Sequence, residues 1–345
     1  MAIAITQAHL DRERDLLIDT LRRLLTPLSN GARFNWLYNN SPHGAARGWL
    51  VIDRGRDAIV GMAAAFPRRF YVGGSEVFTW ALGDFCLEPQ YRSLGPALQL
   101  QRACLRVVEQ DPSAFCYDFP GGSMVAVYKR LGFSVIGKLL RVAKPLRVDR
   151  KVKEMIKNPT AQRVVSFAGN AFLKIGLPKG TADGTLEMTI QDGPCGEEFT
   201  ALMHEQRGKF EICLQRSAEY LNWRYVNNPL AQYEIVTARR NGRLVGYAVW
   251  TQTNEDASIA DLFGEQDSAM VRGLVAAITA LAEKRGLMTL SISVNESHPW
   301  RSLFSKMGFR LRESIPVVII PSKTFAGKIN PQLTGWYLMQ GDRDS

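Results

Sequence analysis

The chain has 345 residues, of which 46% are apolar, 22% charged and 10% aromatic, proportions that exclude a disordered or collagen-like polymer and leave room for two domains with a core each. Its 43 Lys+Arg against 33 Asp+Glu give a formal net charge of +10. Nine of those basic residues fall between Arg141 and Lys174, opposed only by Asp149 and Glu154, so this stretch carries +7 and the rest of the chain +3. Charge confined to one mid-chain segment, with no recognised module beside it, does not describe a nucleic-acid-binding protein.

From Met1 to Leu10 no basic region precedes an apolar core, and uncharged runs such as Ala58–Pro67 are too short to span a bilayer, so the expectation is a cytoplasmic protein. Phe34-Asn35-Trp36-Leu37-Tyr38-Asn39-Asn40-Ser41-Pro42 opens the first block, which continues through a strand-like run and a turn into Ile59-Val60-Gly61-Met62-Ala63. Val77–Leu87 reads as a strand and ends in Glu88-Pro89-Gln90-Tyr91, then Arg92-Ser93-Leu94-Gly95-Pro96-Ala97. From Ala97 onward Leu98, Leu100, Gln101, Ala103, Cys104, Leu105 and Val108 suit a helix. A second strand, Ala114–Phe119, leads through a glycine turn into a helix that ends at Gly132-Phe133, and the apolar run 135–143 closes the block. In the basic segment, Pro159 should break or kink any helix, and Gly176, Pro178, Gly180 and Gly184 read as loop. Leu186–Ile190 alternates as a strand.

The chain then repeats itself. Leu221-Asn222-Trp223-Arg224-Tyr225-Val226-Asn227-Asn228-Pro229 matches the first block at offset 187, Val245-Gly246 matches Val60-Gly61 at 185, and Phe304 through Phe309 matches Tyr128 through Phe133 at 176. Three anchors in one order argue for a duplicated domain, with copies over 1–145 and 185–345 and the basic segment 146–184 as linker. The five cysteines are odd in number, form no C-x-x-C pair and sit mostly in apolar runs, as buried free thiols do; the four histidines are scattered, so no metal site is expected.

A strand, a short glycine turn and a helix N-terminus make an anion site, since unpaired N–H groups and the helix dipole point at whatever sits there. Arg92-x-x-Gly95-x-Ala97, following the apolar-x-Pro end Leu87-Glu88-Pro89 and followed by Tyr128-x-x-x-Gly132-Phe133, resembles the pyrophosphate loop and tyrosine segment of the GNAT (Gcn5-related) acyltransferase superfamily. The resemblance covers about residues 34–143, and the second copy more faintly. It implies a mixed α/β fold of two GNAT-like domains, each a mostly antiparallel twisted sheet flanked by helices. It also implies acetyl-CoA or another acyl-CoA as co-substrate without a metal, held at Leu87, Arg92, Ser93, Leu94, Gly95 and Ala97. Pro96 has no N–H, so one donor is missing. Tyr128 occupies the position of the tyrosine that protonates the departing thiolate. For the base, Asp84 and Asp118 are the two candidates, carboxylates within apolar runs. Each could equally cap a turn or pair with an arginine.

In the second copy the strand Ser258–Phe263 runs into Gly264-Glu265-Gln266-Asp267-Ser268, whose acids would repel a pyrophosphate, and Phe304 stands where Tyr128 does. That copy reads as degenerate for cofactor binding. Asp261 aligns with Asp84, which favours a structural role for both. The leading expectation is an acyl-CoA-dependent acyltransferase, with acetyl transfer to an amine of a small molecule, sugar or envelope precursor as the favoured form. The alternative is a catalytically inactive tandem scaffold or ligand-binding protein. The tryptophans Trp36, Trp49, Trp80, Trp223 and Trp250 either pack in the core or line a sugar groove. Residues 141–174 are a candidate for peripheral membrane contact, against the simpler reading of a linker whose apolar face packs on a domain.

Overall fold

The computed structural model describes residues 3–110, 114–175, 186–328 and 332–343. The loop expected at Gly176–Gly184 lies outside them. The N-terminal half runs β1 (Ile3–Gln7), α1 (Arg14–Leu24), α2 (Gly31–Phe34), β2 (Arg47–Asp53), β3 (Ala58–Val72), β4 (Ser75–Leu87), α3 (Leu94–Leu105), α4 (Val107–Gln110), β5 (Phe115–Asp118), α5 (Gly122–Arg130) and β6 (Val135–Pro145). A helical hairpin follows, α6 (Asp149–Met155) and α7 (Pro159–Ile175), in which Pro159 stands at the first position of α7, where its missing N–H costs nothing. The C-terminal half runs β7 (Leu186–Ile190), α8 (Glu197–Gln206), β8 (Ile212–Leu214), α9 (Ala218–Leu221), β9 (Glu234–Arg240), β10 (Arg243–Thr253), β11 (Asp256–Gly264), α10 (Ser268–Lys284), β12 (Thr289–Asn295), α11 (Arg301–Lys306), β13 (Arg310–Pro321) and β14 (Trp336–Tyr337).

The strands form one mixed, mostly antiparallel sheet in the order β1-β2-β3-β4-β5-β13-β6-β12-β11-β10-β9-β7, with β8 pairing β3 and β14 pairing β8. The parallel pairs β4–β5 and β11–β12 occupy corresponding places in the two halves. At the centre the halves exchange their last long strands. β13 pairs with β5 and β6 pairs with β12, while β6 and β13 pair with each other.

The two faces of β3 feed two cores, with a bulge at Val60 resetting the alternation. Met62, Ala64 and Phe66 join Leu17 and Leu21 of α1 and the apolar interior of the C-terminal half; Val60, Ala63 and Ala65 join Leu100 and Cys104 of α3 and Tyr128 of α5 on the opposite face. The repeated Val-Gly step has a steric reason. A Cβ at Gly61 would come within 2.6 Å of the Cys86 carbonyl oxygen, and one at Gly246 within 2.4 Å of Met270 Sδ. At Gly61 only glycine lets β4 approach so closely, and at Gly246 it makes room for the Met270 side chain of α10.

The repeated Asn-Trp blocks are single π-helical turns, Asn35–Asn39 and Asn222–Val226, each closed by an i→i+5 bond from Asn40 N to Asn35 O (2.9 Å) and from Asn227 N to Asn222 O (2.8 Å). The two turns meet face to face. Trp36 Nε1 donates to Trp223 O (2.7 Å) and Trp223 Nε1 donates to Trp36 O (2.8 Å), with the rings stacked at 5.2 Å. All five tryptophans weighed for a sugar groove are buried; Trp49, Trp80 and Trp250 pack in the core, whereas Trp36 and Trp223 cover one another and also line a groove. Among the described residues no helix is long and apolar enough to cross a membrane, and the five cysteines are free and buried.

Candidate active site

Pairing between β4 and β5 ends at Ala81↔Tyr117, yet β4 continues to Leu87 while β5 stops at Asp118. The strands part there, and the gap opens into two adjoining cavities. The outer one, about 370 Å³, is lined by Cys86, Leu87, Arg92, Ser93, Leu94 and Ala97, together with Leu24 from α1 and Ser123, Met124 and Val127 from α5. The inner one, about 200 Å³, is lined by Leu82, Asp84, Gln101, Cys104 and Asp118, among others, and shares Phe85 and Met124 with the first.

Two helix N-termini face this space. α3 begins after Ser93 in extended backbone, and α5 after Gly121. Ser93 N donates back to Tyr91 O (2.7 Å) and Ala97 N to Ser93 O (3.3 Å), while Pro96 has no N–H. The first-turn donors still directed outward are therefore those of Leu94 and Gly95. A Cβ at Gly95 would meet nothing within 4 Å, so this turn is open to a ligand. The side chain of Arg92 lines the outer cavity and is steadied by Nε donating to Leu87 O (2.9 Å). Glu88 anchors the preceding turn through ion pairs with Arg23 of α1 and Arg56. Ser123, Met124 and Leu24 escaped sequence reading because distant elements deliver them; the Gly121-Gly122 turn was the one local signal.

Asp84 lies at a β-bulge, where Ala64 pairs with Gly83 and Met62 with Cys86, and it has φ of 48°. Its carboxylate is buried and accepts from Arg33 Nη1 (2.9 Å) and Nη2 (2.7 Å) and from the Tyr38 hydroxyl (2.7 Å). Asp118, at the end of β5, lines the inner cavity and accepts from the Tyr128 hydroxyl at 2.6 Å. That hydroxyl in turn accepts from Gln101 Nε2 at 3.0 Å. Tyr128 is only 1% exposed and stands behind Asp118; burial first, then the Asp118 charge, hold its hydroxyl well above pKa 10. Gln101 was readable as an amide on the apolar stripe Ala97–Leu100–Cys104, an odd residue there unless something bonds it. The Cys86 thiol, pushed up to about 12 by burial, is no nucleophile.

The corresponding turn of the C-terminal half is closed to an anion. Asp267 caps α10 by accepting from Ala269 N (2.8 Å), and Glu265 and Asp267 pair with Arg240 and Arg243. Asp261, the counterpart of Asp84, is likewise held by a buried arginine: Arg216 Nε donates to Asp261 (3.0 Å) and Nη2 to Asp342 (2.8 Å). Among the described residues no three His, Cys, Asp or Glu side chains are grouped to hold a metal.

Residues 15–136 match the family model of the GNAT acetyltransferase domain. This stretch, about a third of the chain, forms a GNAT acetyltransferase domain. Solved structures agree on the fold across both halves. A probable N-acyltransferase of Enterococcus faecalis superposes with a TM-score of 0.66 at 10% identity, covering 95% of this chain and 75% of that one. A GCN5-related N-acetyltransferase from Anabaena variabilis gives 0.65 at 14% identity, covering 94% and 74%. Saccharomyces cerevisiae N-myristoyltransferase with bound myristoyl-CoA gives 0.59 at 12% identity, covering 93% and 79%. No curated protein matches the sequence. The GNAT domain coincides with the half whose strand gap and open helix N-terminus have just been described.

Proposed function

We propose that this GNAT-domain protein is an acyl-CoA-dependent acyltransferase acting from its N-terminal half, with acetyl transfer to an amine as the favoured form. The observation that carries the reading is the β4–β5 gap roofed by two helix N-termini, a shape suited to a thioester with a pyrophosphate. The thioester would supply the activated acyl group. The N–H groups of Leu94 and Gly95 and the guanidinium of Arg92 would hold the phosphates, and the edge of β4 from Leu82 to Leu87, free on its β5 side, would take the amide-bearing arm. Asp118 faces the inner cavity and would accept the acceptor's proton at its carboxylate. Tyr128, donating to Asp118, would position that carboxylate and hold a proton next to it; the acid role expected for Tyr128 would then run through Asp118. Asp84, saturated by Arg33 and Tyr38, would serve as an anchor for the bulge.

Support for a duplicated origin comes from the paired π-helical turns and their reciprocal bonds. They frame a groove of about 450 Å³ lined by Ala32, Asn35, Trp36, Asn40 and Pro42 and by Glu219, Asn222, Trp223, Asn227 and Pro229, five pairs at one spacing. The acceptor would be a small molecule, and five free thiols suit the cytoplasm.

Asp118→Asn should lower kcat about 10²–10⁴-fold with acetyl-CoA binding retained, as loss of a general base does. Tyr128→Phe should move the acid limb of the pH–rate profile upward, because the carboxylate loses a donor that favours its charged form. Calorimetry with acetyl-CoA, coupled to an amine screen read by free-thiol release, tests the assignment. No binding at millimolar thioester would favour the inactive scaffold.

A further inference from the structure

We infer that the α6–α7 hairpin docks on the surface of an anionic lipid bilayer. The hairpin turns its polar side inward: Asn170 Oδ1 accepts from Val148 N (2.8 Å), Asn170 Nδ2 donates to Asp149 (3.0 Å), and Gly169 lies so close to Val148 that a Cβ would sit 2.6 Å from its methyl group. The apolar face of α7 consequently points away from the protein. Val164 is 65% and Phe167 79% exposed, Val165 and Ala168 lie on the same arc, and Met155 of α6 is 83% exposed. An amphipathic helix ordinarily buries this stripe against its own core.

The charges around the stripe decide what covers it. Toward the sheet the basic residues are engaged: Arg141 with Glu313, Arg147 with Asp149 and Arg150 with Asp256. On the hairpin Lys151, Lys153, Lys157 and Arg163 are exposed and form no ion pair among the described residues; the exposed acids nearby are Glu154 and, across a shallow cavity from Lys153, Glu255. An exposed apolar stripe and exposed cations with no ion pair among the described residues, carried on one hairpin, match the layered chemistry of a bilayer surface, acyl chains beneath phosphates. Direction adds a reason. β5 and β6 are both antiparallel to β13 and so run the same way; Asp118 and Val135 are both level with Val318, so the gap opens toward the end of the sheet that carries the hairpin, with the length of β6 between them. Docking would bring that end toward the membrane.

The test is co-sedimentation of the full chain with vesicles of phosphatidylcholine alone and with about 30% phosphatidylglycerol, at low and high salt. Binding is expected to the anionic vesicles only and to weaken with salt. Val164→Asp/Phe167→Asp, at exposed positions, should lower the affinity about tenfold or more with the melting temperature unchanged. Lys151→Glu/Lys157→Glu should abolish the salt dependence. Absence of binding, equal binding to both vesicles, or full binding by the aspartate variant would overturn the inference. So would a self-association that Val164→Asp/Phe167→Asp abolishes in a chain that ignores vesicles, since the face would then join two copies.

Discussion

At Asp84 the chain places a left-handed residue inside a strand and surrounds its carboxylate with Arg33 and Tyr38, all three side chains buried. The bulge sets the strand end that lines both cavities. Asp84→Asn keeps the shape and the tolerance of positive φ but removes the buried charge to which Arg33 and Tyr38 both donate, so it should cost about 3–5 kcal/mol in urea unfolding; a loss below about 1 kcal/mol would sink the anchoring role. Two histidines act in the opposite sense. His43 donates from Nε2 to Gln215 (3.0 Å) and accepts Arg69 N at Nδ1 (3.3 Å), and His298 accepts Trp300 N at Nδ1 (3.2 Å). Burial, helped by Arg68 at His43 and Arg216 at His298, lowers both to about 3. Between about 3 and 6.5 the unfolded chain binds these protons and the folded chain refuses them, so stability falls as pH drops through that window, by about 1.4 kcal/mol per pH unit for each histidine. Unfolding of His298→Phe followed from pH 4 to 6 should show a slope smaller by one such increment; an unchanged slope would mean the ring is protonated in the fold.

Elements differed in how far they could be read before folding. The strand–turn–helix around Arg92 and the strand at Phe115–Asp118 are local: alternation, a glycine turn and an apolar stripe specify them, and they emerged within a few residues of expectation. The Asn-Trp blocks were legible as a repeat but not as π-helical turns that grip each other, because the reciprocal bonds join residues 187 apart. The candidate site divides in the same way. Asp118 and Tyr128 were legible as separate carboxylate and phenol, whereas their 2.6 Å bond, and the placement of the phenol behind the carboxylate, depend on how α5 folds back over β5. Arg33 gave no hint of being Asp84's partner, since an arginine in a four-residue helix 51 positions away has many possible mates.

For the molecule as a whole, the exchanged strands set the unit of folding. Residues 1–184 alone would lack β13 beside β5 and β12 beside β6, leaving unpaired edges in the middle of what should be the sheet. We expect that fragment to be insoluble when expressed alone and to co-purify as a soluble complex when residues 185–345 are supplied on a second chain. A soluble, cooperatively unfolding 1–184 monomer would contradict this. The C-terminal segment fastens the same arrangement. Tyr117 donates to Asp342 O (2.9 Å), Arg224 to Arg343 O (2.9 Å), and β14 pairs β8, which pairs β3.

The exchange also imposes an order of events during synthesis. β5 is complete at Asp118, but its neighbour β13 begins at Arg310, so at ribosomal rates the edge of β5 waits about 10–40 s for the strand that covers it. Over that interval the emerging N-terminal half is a template without its complement. Its protection has to come from chaperones, from the charged hairpin synthesised in between, or from the speed of translation itself.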